Sequence, residues 1–454
     1  MKPSLPQGTR DFESEVLRKR LHITNTIKET FELFGFQPLE TPAMENLDTL
    51  MGKYGQEGDK LIFKILNNGL DNPSKLEETK NAFANVLNGK NDRNLTSRAL
   101  RYDLTIPFAR FVATHYHQLV MPFKRYQVQP VWRADRPQKG RYREFLQCDA
   151  DVAGTKSLIA DAEFGLLYKK VFEKLQIPVR IRLNNRKVLF GIAEVAAHPE
   201  LLSEIVIAID KLDKIGKEEV MASLRKTTLS EKGLQIISEL LSISGTAKQR
   251  IDSLKALLKN SSTGMQGVSE LEEVFTLLEF DNVFELDTTL ARGLDYYTGT
   301  IFEVIAPDVK MGSIGGGGRY DNLTGLFGVS DVPGVGISFG IDRIYDVMQE
   351  LSLFPESLTE GTSVLFFNLG SQESLYAFNL MNECRNQGIS CELFYESAKM
   401  DKQFKYAEKK KIPLVVIIGS REMSDKKCKI KNLNTGVEDT VEASELTTCL
   451  IKKL

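Results

Sequence analysis

The chain is poor in cysteine, histidine and tryptophan, and it has no long apolar run. Five cysteines are scattered over 454 residues, none of them at C-x-x-C spacing. An odd number of dispersed cysteines in a large chain excludes a simple disulfide framework and predicts reduced thiols in the cytoplasm. The longest apolar stretches, such as residues 414–418, are too short to cross a bilayer, so no membrane association is expected.

Metal-binding and phosphate-loop signals are also missing. Two of the four histidines, His115 and His117, lie two residues apart in a helix-like stretch, so they point to different faces and do not favour a metal site. The pattern G-x-x-x-x-G-K-[ST] is absent, which excludes the phosphate loop of that type.

Neither sign of charge dominates the chain. There are 59 lysines and arginines against 61 aspartates and glutamates, a formal net charge of −2. Any attraction to nucleic acid must therefore be local. A composition of 26% charged and 42% hydrophobic residues is typical of a globular protein, and the length predicts two or three domains.

Apolar spacing predicts the elements of the first part of the chain. Residues 11–34 have helical periodicity that Gly35 ends, and residues 36–42 read as a strand stopped by proline. The polar stretch 67–94 is interpreted as a mobile excursion between strands, and strand-like sequence resumes at 95–101. From about 183 to 280, helical patterns dominate and predict an insertion between two halves of a mixed sheet.

The last part of the chain alternates strand and helix patterns. Strands are predicted at 364–367, 390–394 and 414–419, with helices at 372–387 and 402–411 between them. Such alternation favours a parallel sheet with helices packed against it.

A basic hairpin is predicted between two apolar strands. Five basic residues, at positions 133, 136, 139, 141 and 143, surround a turn built on Pro137 and Gly140, with Asp135 as the one acidic residue among them. Like charges this close repel each other unless an anion lies among them, and arginine binds phosphate oxygens in a bidentate manner. A solvated basic hairpin explains the charge alone equally well.

Two further peptides suit a pocket for an anion and a flat polar ring. Residues 292–297 read Arg-Gly-Leu-Asp-Tyr-Tyr, and residues 315–321 read Gly-Gly-Gly-Gly-Arg-Tyr-Asp. The stretch 333–344 is also rich in glycine, and small residues in a strand let a ligand approach the backbone. By itself, that stretch fits a packed core equally well.

Together these peptides resemble the histidyl-tRNA synthetases, a class II family, over nearly the whole chain. Residues 131–147 resemble the second class II motif in its histidyl form and residues 333–344 the third, while 292–297 and 315–321 resemble the two histidine-specific peptides. The resemblance implies an α+β catalytic domain, an antiparallel sheet flanked by helices, over 1–355. It also implies a helical insertion at about 184–280, a linker at 356–361 and an α/β anticodon-binding domain at 362–454.

The resemblance assigns roles to the basic residues. It implies that Arg133 and Arg292 act in catalysis beside the α-phosphate of ATP. Arg343 and Arg141, with Arg133, are expected to bind ATP, which Mg²⁺ accompanies.

A histidine pocket is implied by residues from several peptides. In the family many chains have Arg-Pro-Glu-Gly-Thr where this one has Arg101-Tyr102-Asp103-Leu104-Thr105, so a shorter carboxylate stands at the amino-group site. The residues expected to bind histidine are Asp103, Thr105, Gln147, Asp151, Tyr296, Tyr297 and Tyr320.

Contacts to tRNA are expected at the hairpin and in the tail. The hairpin residues Gln138, Lys139 and Arg141 are expected at the acceptor end, and Lys402 and Lys405 in the anticodon-binding domain. Between 399 and 431 there are eleven basic residues against four acidic ones, a local excess that suits a phosphate backbone. A solvated lysine-rich helix is the alternative.

The implied activity has two steps. Histidine and ATP would form histidyl-adenylate and pyrophosphate, and histidine would then move to the 3′ end of tRNA(His). By analogy, the N-terminal helix and strand would form a homodimer interface. The alternative is a synthetase-like regulatory subunit of ATP phosphoribosyltransferase, which shares the fold but commonly lacks the C-terminal domain and the signature arginines.

Overall fold

A computed structural model describes residues 2–54, 58–138, 140–291, 296–359 and 361–454. They form two compact units, residues 1–354 and 355–454. Among the described residues, no helix is both long and apolar enough to span a membrane.

The first unit is built on strands and helices in mixed order. Its strands are β1 (Gln37–Pro38), β2 (Met44–Asn46), β3 (Lys64–Ile65), β4 (Arg98–Leu100), β5 (Phe123–Trp132), β6 (Glu144–Ala153), β7 (Arg180–Asn185), β8 (Phe284–Leu286), β9 (Thr300–Ile305), β10 (Gly315–Tyr320) and β11 (Gly334–Gly340). Its helices are α1 (Ser14–Leu33), α2 (Leu47–Leu50), α3 (Leu76–Leu87), α4 (Thr105–His115), α5 (Ile159–Lys174), α6 (Arg186–Val195), α7 (Leu202–Ile209), α8 (Leu212–Leu224), α9 (Glu231–Leu240), α10 (Ala247–Leu258), α11 (Ser262–Leu277) and α12 (Ile341–Glu350).

An eight-stranded sheet organises this unit, in the order β1-β5-β6-β11-β10-β9-β7-β8. The five inner pairings are antiparallel, and only the two edge pairings, β1 with β5 and β7 with β8, are parallel. Strands β2, β4 and β3 form a separate small sheet. The predicted α+β architecture, an antiparallel sheet flanked by helices, is confirmed.

One face of the large sheet packs against α1 and α5. The rings of Phe31 on α1 and Tyr168 on α5 lie 5.8 Å and 4.8 Å from the ring of Phe339 on β11, and all three side chains are buried. Side chains alternate between the faces of a strand, so the neighbours of Phe339 point to the opposite face. That opposite face carries the polar residues described below.

The first helix ends where the sequence predicts. Gly35 follows α1 with a φ of 80°, a left-handed conformation that glycine adopts without the steric cost of a side chain. The strand predicted at 36–42 forms only at Gln37–Pro38, at the edge of the large sheet, where a proline without an N–H is tolerated.

The segment 67–94, predicted as a mobile excursion between strands, contains the helix α3. The Asn72 side chain accepts a hydrogen bond from the Ser74 N–H at 3.0 Å, and Pro73 begins a helical turn that leads into α3. Of the residues of α3, only Ala82 is buried. The segment lies between β3 and β4, and the sequence interpretation, which left its conformation open, did not include this helix.

A group of helices separates β7 from β8. Helices α6 to α11 lie between these strands in sequence, from Arg186 to Leu277, and their buried residues belong to the core of the first unit. This is the region where the sequence predicts a helical insertion.

The second unit has its own sheet and core. Its strands are β12 (Val364–Phe366), β13 (Cys391–Leu393), β14 (Leu414–Ile417), β15 (Lys427–Asn432) and β16 (Glu438–Glu442), and its helices are α13 (Ser371–Asn386), α14 (Met400–Lys409), α15 (Ser420–Ser424) and α16 (Leu446–Lys453). The order is β13-β12-β14-β15-β16, in which the first three strands are parallel, as predicted. The hairpin β15–β16 adds two antiparallel strands that the sequence interpretation did not include.

Candidate active site

The polar face of the large sheet carries a cleft and a smaller pocket next to each other. The cleft has a volume of about 400 Å³, and the pocket has a volume of about 60 Å³. Arg133, Gln147, Gly316 and Ser338 line both, so the two cavities share a wall.

Two arginines are held in fixed positions around the cleft. Arg133 follows β5, donates from Nε to the Tyr102 carbonyl at 3.0 Å, and lies over the Tyr102 ring, 4.3 Å from its centroid. Arg343 is in the first turn of α12 and donates from Nη1 to the Ser313 carbonyl at 2.6 Å. Guanidinium groups held in this way suit the oxygens of a phosphate chain.

The tip of the basic hairpin is more open. Arg141 lines the cleft, yet its side chain is 55% exposed and lies 3.9 Å from an Asp135 carboxylate oxygen. Gln138 is exposed and pairs with Arg141 through the backbone. Two predicted residues, Lys139 and the catalytic candidate Arg292, lie outside the described residues.

The N-terminal segment packs against this hairpin, which sequence reasoning did not anticipate. The Gly8 carbonyl accepts a hydrogen bond from the Arg143 N–H at 2.9 Å. The Arg10 guanidinium lies 3.2 Å from the centroid of the Tyr142 ring and donates to Asp342 Oδ1 at 2.6 Å. Asp342 directly precedes Arg343, so the segment joins the hairpin to the start of α12.

Asp103 forms one wall of the small pocket, just before α4. Its Oδ1 accepts hydrogen bonds from the Tyr54 hydroxyl at 2.9 Å and from the Ile106 N–H at 3.1 Å. Its Oδ2 is buried and has no hydrogen-bond partner. Burial raises the pKa of Asp103 above its ordinary value, although the N–H of Ile106 and the charge of Arg133 oppose that shift.

Asp151 lies at another side of the pocket and has two partners. Its Oδ2 is 2.7 Å from Nη2 of Arg125, and its Oδ1 accepts a hydrogen bond from the Tyr320 hydroxyl. Arg125 is completely buried and lies over the Phe108 ring, 4.3 Å from its centroid. A buried cation of this kind stabilises the ionised carboxylate, yet burial raises the pKa of Asp151 overall.

Arg125 was missed by the sequence interpretation, although a signal was present. Arg125, Gln127 and Gln129 alternate along β5, and in the register of the sheet they lie opposite Asp151, Asp149 and Gln147 of β6. Three polar residues at alternate positions of a strand with buried neighbours indicate a polar face directed at a site.

Three tyrosines close the pocket. The Tyr296 ring lies 5.1 Å from the Tyr297 ring and 6.1 Å from the Tyr320 ring, both at steep interplanar angles. Burial raises the pKa of all three phenols above the ordinary value, so they remain neutral. Neutral hydroxyls can both donate and accept hydrogen bonds.

Glycines leave the room that the pocket needs. A Cβ atom on Gly336 would lie 2.0 Å from Asp151 Oδ1, and one on Gly318 would lie 2.9 Å from the Tyr297 ring. Neither contact is possible without moving a pocket residue, so the glycine-rich strands β10 and β11 permit the close approach of these side chains.

Asp149 is a pocket residue that the sequence interpretation did not select. It lies between Gln147 and Asp151 on the same face of β6, opposite Ser338 of β11. Its side chain is buried, and its Oδ1 has no hydrogen-bond partner. Burial raises the pKa of Asp149 to about 7, with Asp151 adding to the shift and Arg125 opposing it.

All seven residues predicted to bind histidine line the small pocket. They come from β6, β10, the start of α4 and the segment before β9, which the antiparallel sheet brings together. The pocket offers carboxylates and phenols to a small polar molecule, and the cleft beside it offers guanidinium groups to an anion.

A model of histidyl-tRNA synthetase matches residues 75–344, more than half of the chain, and a model of an anticodon-binding domain matches residues 363–453. The chain belongs to the histidyl-tRNA synthetase family. The resemblance inferred from the motifs is therefore confirmed, and the large sheet is that of a class II synthetase catalytic domain.

Relatives of the same family match over their full length. The chain is 52% identical to a histidine–tRNA ligase of Christiangramia forsetii and 49% identical to one of Bacteroides fragilis, with 99% of each chain covered in both cases. The crystal structure of histidyl-tRNA synthetase from Nostoc sp. PCC 7120 superposes with a TM-score of 0.81 at 30% identity, covering 100% of both chains.

A structure described as an ATP phosphoribosyltransferase regulatory subunit/histidyl-tRNA synthetase, from Bacillus halodurans, also superposes. Its TM-score is 0.70 at 19% identity, with 89% of this chain covered. That likeness shows a shared fold only, because fold alone does not determine function.

The predicted tRNA-binding residues of the second unit are exposed. Lys402 and Lys405 lie on α14, and the Lys402 ammonium is 4.0 Å from a Glu396 carboxylate oxygen. This unit is the part of the chain that matches the anticodon-binding domain model.

Proposed function

We propose that this chain activates histidine with ATP and then transfers the histidine to tRNA(His). The observation that carries the proposal is the convergence of seven predicted histidine-binding residues on one pocket that shares a wall with an arginine-lined cleft. The chain is an enzyme of the ligase class, and its substrates are ATP, histidine and tRNA.

Activation requires no nucleophilic side chain. The carboxylate of histidine attacks the α-phosphate of ATP in line, and pyrophosphate leaves. The enzyme contributes positioning and neutralises the charge that develops on the phosphate oxygens. We assign this catalytic role to Arg133, which lines both cavities, and to Arg292, while Arg343 and Arg141, which line the cleft and not the small pocket, bind ATP together with Arg133.

Selection of histidine depends on the two nitrogens of its ring. A neutral imidazole has one N–H donor and one acceptor nitrogen. The Asp151 carboxylate can accept from the donor, and the hydroxyls of Tyr297 and Tyr320 can serve either nitrogen. A site that pairs both nitrogens rejects analogues that lack them by about 10⁴-fold or more, because its buried polar groups would stay unpaired.

Magnesium accompanies the nucleotide in this proposal. Mg²⁺ is generally held by substrate phosphates, water and one or two carboxylates. Within the described part of the chain, no group of three or more potential metal-binding side chains converges, so we assign it no protein ligands.

Two surfaces are proposed to contact tRNA. Arg141 lines the cleft, and it would approach the acceptor end together with the hairpin residues Gln138 and Lys139. Lys402 and Lys405, exposed on α14, would contact the phosphate backbone of the anticodon arm.

A homodimer through the N-terminal helix and strand is also proposed. Leu17 and Leu21 lie one turn apart on α1 and are 44% and 48% exposed, at the border of the buried face of this helix. Exposed apolar side chains in line on a helix favour contact with a second copy. Leu21→Glu should shift the chain toward the monomer in sedimentation equilibrium.

The cytoplasm is the proposed location. All five cysteines are unpaired in the structure, and four of them are buried. Free thiols persist in a reducing compartment.

The first test is ATP–pyrophosphate exchange with each of the twenty amino acids in the absence of tRNA, followed by aminoacylation of tRNA(His). Exchange with histidine alone and charging of the tRNA are expected. Folded protein that binds histidine or ATP without exchange would instead favour the regulatory-subunit function.

A further inference from the structure

The unpaired polar atoms of the small pocket are all hydrogen-bond acceptors. Among its described lining residues, the buried side-chain atoms without a hydrogen bond or ion-pair partner are Oδ2 of Asp103, Oε1 of Gln147 and Oδ1 of Asp149. Leaving a buried acceptor unpaired costs free energy. A ligand that brings N–H donors to this end of the pocket would remove that cost.

The other polar groups of these three side chains are already engaged. Oδ1 of Asp103 accepts from Tyr54 and from the Ile106 N–H. Nε2 of Gln147 donates to Oγ of Ser338 at 3.2 Å, which leaves the amide oxygen available. Asp149 is hydrogen-bonded by the Ser338 side chain. Each residue therefore has one acceptor oxygen to offer.

A primary ammonium group matches three acceptors, because it has three N–H donors and one positive charge. We propose that Asp149 binds the α-ammonium group of the amino-acid substrate, as a third acceptor together with Asp103 and Gln147. This inference rests on the proposed function and adds to it a residue that determines how the substrate's amino end is held.

The position of Asp149 agrees with this role. On β6, Asp149 is the residue between Asp151 and Gln147 whose side chain points to the same face. Gln147 lines the cleft as well as the pocket. Both oxygens of Asp151 already have partners, Tyr320 and Arg125, so Asp151 does not compete for the ammonium. The imidazole ring, which the proposed function assigns to Asp151 and Tyr320, would lie at that end of the pocket. The amino end of the substrate then lies over Asp149, and its carboxylate faces Arg133 and the cleft.

Charge balance supports the same assignment. Asp151 has the buried Arg125 as its counter-ion at 2.7 Å. Asp103 and Asp149 both line the pocket with a free carboxylate oxygen, and no described cation forms an ion pair with either. The substrate's ammonium supplies a cation that both carboxylates can share.

The test compares ligands that differ in the amino group. Dissociation constants of histidine, histidinol and imidazole-4-propionate would be measured by calorimetry with the full-length chain and with Asp149→Asn. Histidinol keeps the amine and lacks the carboxylate, whereas imidazole-4-propionate keeps the carboxylate and lacks the amine. Asp149→Asn preserves the shape of the side chain and removes its charge.

We expect Asp149→Asn to weaken histidine and histidinol by at least about 30-fold, the scale for removing one partner of a buried charge pair. Imidazole-4-propionate should bind the variant as well as it binds the unmodified chain, or better. Equal weakening of all three ligands, or unchanged binding of histidine, overturns the proposal. The comparison variant Asp151→Asn should weaken all three, because each retains the ring.

A measurement on the unmodified chain keeps the proposal testable if the variant does not fold. The ratio of the affinities for histidine and imidazole-4-propionate should rise between about pH 5.5 and about pH 8, because the buried carboxylates of Asp149 and Asp103 attract the ammonium only when they are ionised, and the ring contributes equally to both ligands. The same ratio in Asp103→Asn isolates the part of the rise that Asp149 contributes. A ratio that does not rise over that range overturns the proposal. The charged or titratable groups that interact electrostatically with Asp149 are Arg125, Asp103, Asp151 and Tyr297, together with Cys148 and Tyr168 on the other face of the sheet.

The proposed function fails in a different way. If the unmodified chain shows no histidine-dependent exchange, the activity itself is wrong, and the inference about Asp149 is withdrawn with it. If exchange is normal and only the ligand pattern disagrees, Asp149 has another role and the activity stands.

Discussion

A carboxylate buried for binding weakens the fold that contains it. Asp149 has an ordinary pKa near 4, which burial raises to about 7 in the folded chain. Between these values the folded state holds a proton that the unfolded state has released, so stability falls as the pH rises from about 4 to about 7. Above about pH 7, Asp149 is ionised in the folded chain as well, and burying its charge lowers the free energy of unfolding by the full amount.

Asp149→Asn should therefore stabilise the chain at neutral pH while it weakens histidine binding. The gain should be at most a few kcal/mol, since one pKa unit corresponds to about 1.4 kcal/mol, and it should shrink toward zero at about pH 4. The fluorescence of Trp132, the single tryptophan, follows unfolding of the first unit. Its thermal midpoint would be compared for the two chains at several pH values.

Asp308→Asn is the matched control, because Asp308 is an exposed aspartate of the same unit. It should not shift the midpoint at any pH. A lower midpoint for Asp149→Asn at about pH 8 would contradict the view that the buried charge is costly.

Arg292 remains a prediction from sequence at the same scale. Arg292→Ala is expected to lower the rate of histidyl-adenylate formation by about 10²-fold or more, the scale for losing one donor to a developing charge. Single-turnover formation of adenylate is the measurement, since it isolates the chemical step. A nearly normal rate in that assay would remove Arg292 from the mechanism, and Arg225→Ala, the same substitution at an exposed arginine that lines neither cavity, is a control for surface effects.

Residues in recognisable motifs could be predicted from the sequence, and residues that act through pairing across the sheet could not. Asp151 and Tyr320 lie in peptides typical of the family, and they meet in one pocket. Arg125 and Asp149 become visible only when the register places β5 and β11 beside β6. Register depends on contacts between strands that are distant in the chain, and apolar periodicity alone does not encode it.

At the scale of elements, the N-terminal segment supports the basic hairpin. Arg10 contacts both Tyr142 of the hairpin and Asp342 at the start of α12, and Arg20 of α1 binds the same Asp342 oxygen at 2.5 Å. The segment therefore fixes the distance between the hairpin and Arg343. Nothing in the composition of residues 2–12 predicts this contact, because it depends on one arginine meeting partners over 130 residues away.

Arg10→Ala should raise the KM for ATP by about tenfold with a small change in kcat, because a lost charge-assisted hydrogen bond at a partly exposed site is worth about 1.5 kcal/mol. The KM for histidine should not change, since Arg10 does not line the small pocket. ATP-dependent exchange at saturating histidine is the measurement. Arg421→Ala, on the second unit, is the control, and equal increases in both KM values would mean a general loss of structure.

Helix α3 shows a second limit at this scale. Six of its twelve residues are apolar, yet packing within the described chain buries only Ala82, whereas α1 buries six residues. The local signal lies before the helix, where Asn72 caps the short helical turn Pro73–Lys75 that leads into α3.

At the scale of the whole molecule, chemistry and tRNA recognition are assigned to separate cores. The cluster that supports the pocket belongs to the first unit, whereas the sheet that carries α14 has its own buried cluster. The division falls between residues 354 and 355, and the linker predicted at 356–361, where the composition changes, stays a prediction. A change on α14 should therefore affect tRNA and leave histidine activation intact.

Lys405→Glu should weaken charging of tRNA(His) and leave ATP–pyrophosphate exchange unchanged. Lys405 is exposed on α14, and a lysine that contacts a phosphate contributes about one unit to the slope of log affinity against log salt concentration. The slope for tRNA binding should become shallower by about that amount.

Lys452→Glu makes the same charge change at an exposed position on α16 of the same unit, so it separates a specific contact from a loss of net charge. Equal effects of both changes would assign the affinity to the overall charge of the unit, and a slower exchange reaction in Lys405→Glu would contradict the division of labour between the two cores.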